Sequence, residues 1–102
     1  MTEALSEEDV VKYLKLHLKD WSFENNTIKR EVKFKTFIEA FSFMTSIALE
    51  AEKLDHHSNW SNIYNLVIIS LNTHTVKGIT QMDLDLANTI DRTYKNYLQA
   101  VK

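Results

Sequence analysis

The chain has 102 residues, enough for one compact domain (1–102) and too few for two ordinary ones. Apolar residues make up 44% and charged residues 25%, and the net charge of −2 gives no electrostatic reason to expect nucleic acid or an anionic membrane as a direct partner. With no cysteine, disulfides, zinc–thiolate sites and cysteine nucleophiles are excluded.

The first nine residues are acidic and hold no apolar run, so no secretory signal is expected. No apolar run approaches the roughly 20 residues that span a bilayer. The expected location is the cytoplasm, with the nucleus open to a chain of this size. Ser6 before Glu7-Glu8-Asp9 predicts a helix start, with Ser6 as N-cap and acids in the first turn. Val10, Val11, Leu14 and Leu18 follow at helical spacing, and this helix should end near Asp20. His17 is expected on its solvated side.

Trp21-Ser22-Phe23 alternates, and Asn25-Asn26 suits a tight hairpin turn because Asn tolerates positive φ. From Thr27, Ile28, Arg30, Val32 and Phe34 share one face of a strand and Lys29, Glu31, Lys33 and Lys35 the other. Arg30 on the apolar face suggests a strand end or edge. Thr36 and Glu39 form a second capping box, predicting a helix from Phe37 to about Leu54. Its apolar set, which includes Ile38, Phe41, Phe43, Ile47, Leu49 and Ala51, is wider than one stripe. Such a helix is either well buried in its own chain or packed on a second subunit.

The alternation of Ile63, Asn65, Val67, Ile69 and Leu71 predicts one long strand over about 62–72. Gly78-Ile79 is read as a turn or a short closing strand. Thr80 caps the last helix, whose inner stripe is Leu86, Ile90, Tyr94 and Tyr97 or Leu98. The order is α-β-β-α-β-β-α, an α+β two-layer sandwich with a four-stranded antiparallel sheet and helices on one face.

Chemistry concentrates where the second helix stops. Glu52, Asp55, His56 and His57 lie there, and His74 follows the predicted long strand. Residues 62–72 fully extended span roughly 30 Å, so His74 meets the pair only if that strand is short, bent or bulged. On pattern alone, two separate histidine sites and one joint site both stay open. Metal binding by the histidines with Asp55 or Glu52 is disfavoured, because adjacent side chains diverge and the H-E-x-x-H spacing is absent. Ser58 and Ser61 lack a nucleophile elbow, the only Gly being elsewhere. General acid–base catalysis fits best, since histidine exchanges protons near neutral pH.

The run from Phe41-Ser42-Phe43-Met44 through Ala48-Leu49-Glu50-Ala51-Glu52-Lys53-Leu54-Asp55-His56-His57 resembles the pterin-4a-carbinolamine dehydratases. The likeness continues in Trp60, Asn62, Tyr64-Asn65, Val67, Leu71, Thr73-His74, Gly78, Thr80, Asp83 and Leu86-Ala87. It implies the α+β fold above, no metal and no cofactor. The implied activity is a hydro-lyase reaction, loss of water from 4a-hydroxytetrahydropterin (4a-hydroxytetrahydrobiopterin) to give quinonoid dihydropterin. That recycles the pterin of aromatic amino acid hydroxylases. It implies catalytic roles for His56, His57 and His74: proton transfer by His56 and His74, with His57 mainly a substrate ligand. It further implies substrate contacts from Asp55, Trp60, Asn72, Thr73 and Thr75, with Glu52 and Asp83 as supporting carboxylates.

The chain departs from the family pattern at Ser58, where Pro is usual after the histidine pair, at Asn72, where Ser is common, and at Met82, where a polar or basic residue is expected. Family members form homodimers or homotetramers through the second helix, here 37–54, and some animal members bind a homeodomain transcription factor there. The rival reading is thus a non-catalytic binding module, a transcriptional coactivator or assembly factor. Three retained imidazoles favour the enzyme.

Overall fold

The computed structural model describes residues 3–57 and 59–100. Helix α1 (Glu7–His17) starts as expected, with Ser6 Oγ accepting from the Asp9 N–H at 3.1 Å. It ends at His17, earlier than Asp20, because Leu18 leaves helical geometry and is buried with Trp21. His17 is exposed, its ring 4.7 Å from that of Tyr13.

Strands β1 (Ser22–Glu24) and β2 (Thr27–Lys33) form a hairpin across Asn25-Asn26. Both Asn residues have positive φ, 54° and 59°, as a two-residue type I′ turn requires. The predicted helix α2 (Phe37–Leu54) follows, with Thr36 Oγ1 accepting from the Glu39 N–H at 3.2 Å. The Glu39 carboxylate returns to the Lys35 N–H, one residue before the cap.

The expected long strand is two strands. β3 (Asn59–Ile63) and β4 (Leu66–Leu71) pair antiparallel, with Ile63 opposite Leu66 and Asn59 opposite Ser70. The chain reverses at Tyr64-Asn65, where Tyr64 has φ 52°. Asn62 Nδ2 donates to the carbonyls of Tyr64 and Leu66, and Asn65 pairs twice with the Phe34 backbone. These bonds hold a turn that no Gly or Pro marks. The fourth strand thus comes from the hairpin; Gly78 forms only an isolated bridge with Thr73. Because Tyr64 is exposed and in the left-handed region, Tyr64→Gly is expected to stabilise the fold by about 0.5–1 kcal/mol, and Tyr64→Val to cost about 1–3 kcal/mol, in denaturant melts.

The sheet order is β1-β2-β4-β3, all antiparallel. Ile28, Val32, Val67, Ile69 and Leu71 bury one face against α1, α2 and α3 (Gln81–Ala100), while Ser22, Glu24, Lys29, Glu31 and Lys33 leave the other wet. This is the α+β sandwich expected, in the predicted element order. Arg30 sits mid-strand in the interior strand β2, not at an end or edge. It is tolerated because Asp91 of α3 accepts from its Nη1 at 2.6 Å, and its Cζ lies 5.0 Å from the Tyr94 ring centroid. The same Asp91 oxygen accepts from the Trp21 indole at 2.8 Å.

Helix α2 buries Ala40, Phe43, Ile47 and Ala51, and Phe43 joins Phe34, Tyr94 and Tyr97 in an aromatic cluster. Its other side is not covered by its own chain: Ile38, Phe41 and Leu49 are 75%, 55% and 62% exposed. Tyr97 rather than Leu98 completes the inner stripe of α3, Leu98 being exposed.

Candidate active site

Helix α2 stops because Asp55 turns left-handed, φ 52° and ψ 42°. The His56 N–H donates to the Ala51 carbonyl and the Asp55 N–H to that of Glu52, the bond pair of a Schellman motif. Gly is usual at such a position, and Asp is among the few other residues that adopt it readily. Reversal at Asp55 sends the adjacent imidazoles to different surroundings. His56 is buried, 8% exposed, whereas His57 is exposed.

The β3–β4 hairpin brings the second segment back. Asn59 opposite Ser70 places the residues before β3 and after β4 at the same end of the sheet. After β4, the Thr73 N–H donates to the Gly78 carbonyl at 2.8 Å, closing a loop around a single 3-10 turn, His74–Val76. Lys77, not Gly78, takes the positive φ of this loop. Gly78 is needed for close approach: a Cβ there would meet the Ala4 Cβ at 3.2 Å, where the Leu5 N–H reaches the Ile79 carbonyl.

The two segments face each other across an open cleft of about 330 Å³, at the small end of the range for small-molecule sites. Its walls are Asp55, His56 and His57 on one side and Asn72, Thr73, His74 and Thr75 on the other, with Met82 from α3. The strand length that kept the histidines apart on paper is folded in half.

Two carboxylates stand behind the histidines. Asp83, fully buried near the start of α3, accepts from His56 Nε2 at 2.5 Å on one oxygen. On the other it accepts from Thr73 Oγ1 at 2.8 Å and the Thr80 N–H at 2.9 Å. With Nε2 protonated toward Asp83, a neutral His56 carries its lone pair on Nδ1. Glu52 Oε1 lies 2.8 Å from His57 Nε2, both side chains being mostly exposed, so this pair orients more than it stabilises.

Trp60 is half-buried, pairs with Ile69 and packs against the core; it is not among the residues lining the cleft. Ser58 lies outside the described residues. Sequence reasoning passed over two residues. Met82 was seen only as a departure, yet lines the cleft. Thr80 was read as a cap and as part of the family likeness but not as a site residue, yet its hydroxyl lies 2.8 Å from that of Thr73. Among the described residues, no group of three or more His, Asp or Glu side chains is arranged to hold a metal ion, and no helix is long and apolar enough to cross a membrane.

The sequence profile of the family described as pterin 4 alpha carbinolamine dehydratase matches residues 3–93. A curated relative from Prochlorococcus marinus (strain MIT 9312), provisionally named pterin-4-alpha-carbinolamine dehydratase, is 47% identical over 94 residues, covering 92% of this chain and 98% of the relative. The crystal structure of a transcriptional coactivator/pterin dehydratase from Brucella melitensis superposes with a TM-score of 0.86 at 37% identity, covering 90% of this chain and 99% of that one. A pterin dehydratase-like protein identified as a RuBisCO assembly factor in the alpha-carboxysome matches with a TM-score of 0.61 over 72% of this chain and 86% of its own. At 16% identity that likeness speaks for the fold alone.

Proposed function

This chain belongs to the pterin 4 alpha carbinolamine dehydratase family, and from that premise we propose that it removes water from 4a-hydroxytetrahydropterin by histidine acid–base catalysis. The observation that carries this reading is the shared cleft of His56, His57 and His74, with His56 held by a buried carboxylate. In the reaction the C4a–O bond breaks, the hydroxyl leaves as water after taking a proton, and N5 gives up its proton as the C4a=N5 bond forms. One acid and one base are sufficient, and a positioned pair contributes typically 10²–10⁴-fold. His56 and His74 act as proton carriers on opposite walls, and His57, oriented by Glu52, binds the substrate. Asp55, Asn72 and Thr75 contact the pterin at the rim, and Trp60 supports the site through the sheet.

The test is stopped-flow absorbance of enzymatically generated 4a-hydroxytetrahydropterin. Decay faster than in buffer alone is expected; equal rates sink the proposal. The cellular role under this reading is pterin recycling in the cytoplasm.

The bare face of α2 supports a homo-oligomer in which that helix meets its copy. Three large apolar side chains on one helix face form a patch of the kind that marks an interface. Light scattering should give a multiple of the 12.0 kDa chain mass, and the double variant Ile38→Glu, Phe41→Glu should give the monomer. The Brucella relative is described as a transcriptional coactivator, so the same face also suits a regulatory partner. Dehydratase activity that survives in the monomeric variant would show that catalysis does not depend on this face.

A further inference from the structure

Two other Ser/Thr N-caps in this chain do the usual work: Ser6 Oγ accepts from the N–H of Asp9, and Thr36 Oγ1 from that of Glu39. Thr80 opens α3 in the same sequence position, but among the described residues its Oγ1 accepts no backbone N–H. The N–H groups of Asp83 and Leu84 go instead to the Thr80 backbone carbonyl. The hydroxyl, fully buried, turns to Thr73 Oγ1 at 2.8 Å, with a longer approach of 3.5 Å to Asp83.

The direction of these bonds follows from counting protons. Each threonine hydroxyl has one. That of Thr73 goes to Asp83 Oδ2 at 2.8 Å, so at the Thr73–Thr80 contact Thr80 is the donor. The chain runs Thr80 to Thr73 to Asp83, and Asp83 accepts from His56 on its far oxygen. Thr73, 9% exposed, thus spends its only side-chain proton inside the protein, away from a ligand in the cleft. Buried hydroxyl chains of this kind polarise and direct one another.

We propose that Thr80 is a positioning residue of this site, its buried hydroxyl directing Thr73 onto Asp83 and thereby fixing the carboxylate that holds the His56 ring. The catalytic part of this rests on the reading of His56 as a proton-transfer group; the structural part does not. The experiment compares wild type, Thr80→Val and Thr80→Ser by dehydratase kinetics and by long-range ¹H–¹⁵N spectra of the His56 imidazole. Valine is nearly isosteric with threonine and replaces the whole hydroxyl, donor and acceptor together, with a methyl group. Thr80→Val is expected to lower kcat roughly tenfold, what one bond in a buried network is worth, with KM held within about twofold. Its His56 ring signals should shift away from a single Nε2–H tautomer, and Thr80→Ser should restore both.

Adding Thr80→Val to Thr73→Val should cost little beyond Thr73→Val alone, since the effect passes through Thr73. Unchanged His56 signals in folded Thr80→Val, or strict additivity in the double variant, overturns the proposal. Shifted signals in a protein without dehydratase activity support the positioning role and instead overturn the catalytic reading. If Thr80→Val does not fold, Thr80→Ala carries the same comparison without added bulk.

Discussion

Asp83→Ala is expected to cost about 2–4 kcal/mol, lowering the melting temperature by roughly 10–30 °C, and to remove most dehydratase activity. The side chain is fully buried and accepts from His56, Thr73 and the Thr80 backbone. Alanine leaves three buried donors without acceptors, and each unsatisfied group costs about 1–3 kcal/mol before relaxation or water entry recovers part of it. Asp83→Asn separates stability from chemistry. An amide presents one oxygen and one NH₂. If the oxygen serves Thr73 and Thr80, the NH₂ faces His56 Nε2, which must then become an acceptor and move its proton to Nδ1. The expected outcome is a smaller loss of melting temperature than in Asp83→Ala, with turnover still reduced by about 10² or more. Circular dichroism melts and the stopped-flow assay measure the two quantities. Wild-type turnover in Asp83→Asn would show that the His56 tautomer plays no part.

What the sequence revealed divides by the range of the interactions involved. Helix α2 was legible end to end because its limits are local: a Thr36 cap, and a stop within one turn of Asp55. The β1–β2 turn was legible because Asn-Asn is a known carrier of positive φ. The β3–β4 turn was not, because Tyr64 is an aromatic residue of high strand propensity, and what holds it left-handed is side-chain bonding by Asn62 and Asn65, the latter reaching Phe34. Arg30 was misplaced for the same reason. Its partner Asp91 is 61 positions away, and without it a charge on an apolar face reads as an edge. The site inherited both limits. The histidine pair and its helix end could be read locally, but their union with His74 depended on the unseen hairpin, and only family resemblance pointed to it. Thr80 was hidden in another way: its residue type and spacing fit an ordinary cap, and only the side chain's turn toward Thr73 shows otherwise.

His74→Ala should leave stability within about 0.5 kcal/mol of wild type while lowering turnover by about 10²–10⁴-fold for at least one epimer at C4a. His74 is exposed at the head of the 3-10 turn, so its removal leaves no buried donor or acceptor behind. His56→Ala differs, because it strips a donor from buried Asp83 and should lower melting temperature and turnover together. The contrast follows from the cleft's construction: one imidazole is fixed by a buried carboxylate, the other stands on the opposite wall near solvent. A hydroxyl on C4a projects from one face of the pterin or the other, so acids on two walls can each serve one epimer. Feeding the two epimers separately to His56→Ala and His74→Ala should therefore give opposite preferences. Turnover of both epimers unchanged in His74→Ala would leave His56 as the only proton carrier and reduce His74 to part of the wall.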